Sequence, residues 1–187
     1  MPNFDVRHYH ETRVPADPAA AYAALRNLDL ERSPTVRLLF AIRNLPSRIR
    51  APERAPARTG ESRSFLDSML DLGWVILEEA PGQELVAGAV TQPWAVTVIF
   101  RSLLPAEFPA FSEPGFTKIV WNIAAQADGA GGTLVSTETR VLATDAESRR
   151  RFHRYWFLFS PGIRLIRHIA LAQARRELAR IHRGDAA

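Results

Sequence analysis

The segment from Thr144 to His182 constrains the fold more than any other part of the chain. Thr144-Asp145-Ala146-Glu147 reads as a capping box, a hydroxyl at the helix start with a glutamate three residues on. Behind it Phe152, Tyr155, Trp156 and Phe159 fall at i, i+3, i+4 and i+7, one aromatic stripe on a helix. Pro161 lacks an N–H and crowds the preceding turn, so it must kink or interrupt that helix. The pattern resumes with Ile163, Ile166, Ala170, Ala174, Leu178 and Ile181, leaving Arg164, His168, Arg175 and His182 on a flank turned toward solvent. A long helix with one apolar face needs a second apolar surface to cover.

Two strands supply that surface. Thr117–Ala127 and Thr133–Leu142 both alternate in polarity, and Asp128-Gly129-Ala130-Gly131-Gly132 joins them. A loop centred on Ala130 sets Trp121 opposite Thr139 and Asn122 opposite Glu138. One face then carries Ile119, Trp121, Ile123, Val135, Thr137, Thr139 and Val141, the natural inner face. The other carries Lys118, Asn122, Glu138 and Arg140, and a slip of one residue would exchange the two.

The remaining elements follow from local signals. Phe4 to Val14 alternates as a strand, with Phe4, Val6, His8, His10, Thr12 and Val14 on one face. Asp17-Pro18 is an N-cap followed by proline at the first helical position, and the Ala-rich run Ala19 to Leu25 continues as a helix. Ser33-Pro34 repeats the start signal, with Val36, Leu39, Phe40 and Arg43 at helical spacing. Pro46 to Arg63, with three prolines, a glycine and five arginines, reads as a long surface loop able to act as a lid. Ser64 to Asp71 is a short helix; Gly73–Ala80, the turn Pro81-Gly82 and Glu84–Thr91 form a hairpin; Ala95–Arg101 is a further strand. The Pro- and Phe-rich stretch Leu103 to Phe116 is a loop that packs locally or rims a pocket. The expected fold class is therefore α+β, an antiparallel sheet around a long C-terminal helix, as one domain over residues 1–187.

Composition removes several functions. The chain has no cysteine, so disulfides, thiolate nucleophiles and Cys-ligated zinc are excluded. Neither a signal peptide nor a run of about 18 apolar residues is present, so no stable membrane insertion is expected and the cytoplasm is the default compartment. The net charge of +4 is concentrated at the end: Asp145 to Arg183 holds ten arginines against three acids. Those arginines are spread around the helix without aromatic interleaving, which reads as a solvated face and not as a nucleic-acid surface. Phosphate-binding glycine loops and nucleophile elbows are absent.

Two constellations invite chemistry. His8 and His10 point the same way from one strand, a pair able to bind a metal if a third ligand such as Glu138 joined them; alone they read as partly buried, hydrogen-bonded histidines, and neither metal nor cofactor is expected. Glu138 and Arg140 share a strand face, either as a charge-tuned acid/base pair or, as favoured here, a structural ion pair.

Three stretches carry a family resemblance: the opening strand with Val14-Pro15-Ala16-Asp17-Pro18, the run Ser136-Thr137-Glu138-Thr139-Arg140-Val141 before Thr144-Asp145, and Tyr155-Trp156 with Ile163-Arg164. Together these resemble the START-like superfamily, the helix-grip proteins that include the birch pollen allergen and the polyketide cyclase/dehydrase and lipid-transport types, many of them bacterial. The resemblance implies a cavity between sheet and helix, and it brings no universal catalytic residue. On this reading the chain binds an apolar or amphipathic small molecule, lipid- or polyketide-like, with Trp121, Thr139, Phe152, Tyr155 and Trp156 lining the cavity. An enzyme of cyclase, dehydratase or hydrolase type, using His8, His10, Tyr155 or Glu138 as acid or base, is the alternative. A regulatory protein docking its basic helix on an acidic surface is the third.

Overall fold

The computed structural model describes residues 1–30, 33–39, 41 and 64–184, without the side chains of Glu177 and residues 179–184. Its elements run β1 (Val6–Val14), α1 (Pro18–Arg26), a helical stretch at 34–39, α2 (Phe65–Asp71), β2 (Val75–Ala80), β3 (Glu84–Gln92), β4 (Ile99–Arg101), a 3-10 turn (Pro105–Glu107), β5 (Thr117–Ala127), β6 (Thr133–Ala143) and α3 (Ala146–Gly184). The strands form one antiparallel sheet in the order β1-β6-β5-β3-β2, with β4 on the far end of β3. Helix α3 packs across β1, β6 and β5. This is the α+β helix-grip arrangement expected from the alternating strands and the striped helix.

The β5–β6 register is the expected one, Trp121 opposite Thr139 and Asn122 opposite Glu138. Asp128 closes the loop by accepting from the N–H groups of Ala130 and Gly132, and Gly129 and Gly131 take the positive φ that the turn requires. Pairing then stacks the inner face in rows. One row runs Ala87, Trp121, Thr139, His8; the next runs Leu85, Ile123, Thr137, His10. Below them, Ala125 and Val135 join Val14, Leu25 and the helix residues Leu171, Ala174 and Leu178 in a closed apolar core.

The outer face has its own cover. Val90, Phe108 and Phe116 form a second buried cluster with Leu77, Leu103, Phe111 and Val120 around it, so the Pro- and Phe-rich loop packs locally. Lys118 is buried there, its ammonium donating to the Pro109 carbonyl at 2.7 Å.

Several boundaries differ from expectation. β1 begins at Val6, because Asp5 turns away to accept from the N–H of Ala143 and the guanidinium of Arg149, and Phe4 lies under the Arg140 guanidinium instead of on the inner face. The strand expected from Ala95 shrinks to Ile99–Arg101, since residues 93–98 form turns and bends. The capping box is replaced by a cap one residue later: Asp145 accepts from the N–H and hydroxyl of Ser148 and from the N–H of Gly115, while Thr144 is spent on the backbone of Phe116. Three such donors hold the Asp145 carboxyl well below the usual carboxylate range. At Pro161 the helix is not interrupted; it continues to Gly184. Phe40, Arg43 and the whole Pro46–Arg63 loop, with its expected lid role, lie outside the described residues.

Candidate functional site

The sheet–helix interface is closed at one end by the core around Leu171, Ala174 and Leu178, and Phe152 is buried at the other. Between them the two layers do not fully cover each other. Ile119 and Trp121 on the inner sheet face, and Trp156 and Ile163 on the helix, all keep partial exposure. Apolar side chains that face a layer interface and still meet solvent leave the cover incomplete there.

β1 and β6 supply the polar floor of this gap. Strand alternation sends His8 and His10 inward from β1 beside Thr139 and Thr137, their partners on β6. The His8 ring lies 5.0 Å from Trp156, and the His10 ring meets the edge of His168 at 5.2 Å. His168, expected on the solvent flank, is exposed yet reaches this contact. The Thr137 hydroxyl donates to the Asn122 carbonyl, whereas His10 Nε2 is buried without a hydrogen-bond partner among the described residues. Burial lowers the affinity of both imidazoles for a proton, and the nearby positive charge of Arg167 lowers it further, so both are neutral at pH 7.

Arg167 is the residue that sequence reasoning missed. It falls on the inward stripe Trp156, Ser160, Ile163, Arg167, Leu171, Ala174, Leu178, where no other member is charged. Its guanidinium donates to the His8 carbonyl at 3.3 Å and to the Thr139 hydroxyl. Both acceptors are uncharged, and no carboxylate pairs with Arg167 among the described residues. Desolvation lowers its pKa to about 10, which leaves it charged at neutral pH. A charge at an inward helical position was the signal available; it was hidden among ten arginines read as one solvated face.

The five expected lining residues divide into two groups. Thr139 and Trp156 meet at the His8–Arg167 cluster, with Phe152 stacked on Trp156 at 5.5 Å, and Trp121 lies in the same sheet row as Thr139. Trp121 also takes the edge of Phe65. Tyr155 instead stacks on Phe159 at 4.8 Å and lines an open groove of about 370 Å³ with Trp94, Leu158, Arg151 and Arg154. Trp94 sits in the turn after β3, not on the sheet.

Glu138 belongs to neither group. It faces the outer side of β6 and accepts from Arg140 at 2.6 Å and from Arg7 at 2.7 Å. Burial alone would raise its carboxyl, and the two guanidinium hydrogen bonds more than reverse this, leaving it below its usual range. It is the structural ion pair favoured from sequence. It can neither complete a metal site with His8 and His10 nor act as an acid or base in the gap. The remaining helix arginines are partly committed as well, Arg149 to Asp5 and Arg150 and Arg151 to Glu147.

The sequence matches no family model and no curated protein. Among solved structures, CalU16 from Micromonospora echinospora is similar at 12% identity and a TM-score of 0.30, over 94% of this chain and 88% of that one. Ara h 8.0201 is similar at 14% identity and a TM-score of 0.25, over 89% of this chain and 98% of that one. Among the described residues, no helix is long and apolar enough to cross a membrane.

Proposed function

We propose that this chain is a START-like protein that binds an apolar or amphipathic small molecule between the sheet and α3, in the cytoplasm. One observation carries the reading: Trp121 and Trp156 face each other's layer and stay partly exposed, while the rows toward Leu171 and Leu178 are sealed. A mostly apolar site with a few convergent polar groups is the usual form of a small-molecule pocket, and His8, His10, Thr139 and Arg167 are those groups here. Native mass spectrometry of freshly purified protein, followed by solvent extraction, tests it. A bound small molecule that leaves on extraction is expected. A homogeneous apo mass together with no uptake of any added lipid or aromatic probe would refute it.

A second reading, an enzyme acting on such a molecule, draws on one feature. His8 and His10 face the gap as neutral imidazoles, the form a general base requires.

A further inference from the structure

An arginine placed on the apolar stripe of a helix is expensive unless something compensates it. Arg167 reaches over the rows of His8 and His10, and its two hydrogen bonds go to a carbonyl and a hydroxyl. A guanidinium has five donors in a planar fork, so among the described residues this arrangement leaves donors and a full positive charge uncompensated. Of the groups around it, His8 and His10 are shifted toward the neutral form, and the other cation acting on them, Arg164, is exposed to solvent. Two further features converge on the same spot. Thr139 accepts from Arg167, which leaves its own hydroxyl proton to donate. His10 Nε2 is buried with no hydrogen-bond partner among the described residues.

Building on the pocket reading, we propose that its ligand carries one carboxylate, which docks on Arg167 and Thr139, with its apolar body lying against Trp156 and Trp121. A single half-buried cation fits a monoanion; a phosphate dianion would leave a negative charge without a partner. The planar carboxylate also matches the guanidinium fork in a way that an alcohol or ketone cannot. Fatty acids and aromatic polyketide acids share this chemistry, and the head group alone is what the site reads.

The test is calorimetric titration of the full-length protein with decanoate and with decanol at pH 7.5. These ligands have the same chain and differ in head charge. Wild type should prefer decanoate by about 10- to 100-fold, the range of a charge-assisted hydrogen-bonded pair. Arg167→Gln should lose the preference, weakening decanoate far more than decanol, and Arg167→Lys should restore part of it. If Arg167→Gln does not fold, Arg154→Gln decides: a preference that it leaves intact supports the inference, and one that it abolishes overturns it. Equal binding of the two ligands by wild type overturns the carboxylate inference and leaves the pocket standing. Binding of neither overturns the pocket and the inference together. A preference that survives Arg167→Gln and vanishes in Arg154→Gln would place the carboxylate in the outer groove beside Tyr155, and overturns the inference too.

Discussion

Trp156 couples stability to binding, and its replacement by alanine separates the two. The indole stacks on Phe152 at 5.5 Å on its own helix and meets the tilted ring of His8 at 5.0 Å across the layer boundary, yet it is only partly buried. A fully enclosed tryptophan costs about 3–5 kcal/mol to truncate. With roughly 100 Å² of apolar area actually removed from water, at about 25 cal/mol per Å², the loss here should be nearer 2–3 kcal/mol. Thermal melting and urea unfolding of wild type and Trp156→Ala measure it, each with and without a neutral hydrophobic dye. The variant should melt earlier, and bound dye should raise its melting temperature less than that of wild type, because the ring is both packing and pocket wall. A variant that melts like wild type would refute the packing of α3 on β1. One that is destabilised and responds to the dye as wild type does would refute the wall.

Other expectations are narrower. His8 and His10 are harder to protonate when folded than when unfolded, so the unfolded chain binds more protons and stability should fall as pH drops from about 7 through the lowered folded values; urea midpoints between pH 7.5 and 5 should show this, and His8→Gln with His10→Gln should flatten the slope. Asp145→Ala removes the N-cap of α3 and its hold on Gly115, and should lower the melting temperature by several degrees while far-UV circular dichroism stays helical. A methyl group at Gly88 would come within 2.7 Å of Leu77 and 3.0 Å of Phe108, so Gly88→Ala should cost about 1–3 kcal/mol in chemical unfolding.

The parts of the fold legible in the sequence are those where two signals agreed. Alternation and the glycine loop both pointed to Trp121 opposite Thr139, and alternation alone sent His8 and His10 inward. The helix start was misplaced by one residue because Thr144 and Asp145 are both good caps, and only the tertiary contact with Phe116 decides between them. Glu138 was offered two roles, and the position of Arg7 on the neighbouring strand, invisible without the pairing, settled it as an ion-pair partner. Arg167 needed the helix phase to be read through a charge run, where composition argued for solvent.

The most direct test of the central claim uses the chain's own four tryptophans, at positions 74, 94, 121 and 156, whose indole N–H groups give separate NMR signals. Each is assigned by its single phenylalanine variant. On addition of a hydrophobic ligand, the signals of Trp121 and Trp156 should shift together and saturate at one equivalent, with Trp94 moving little. A shift confined to Trp94, or none at any of the four, would contradict a binding site between sheet and helix.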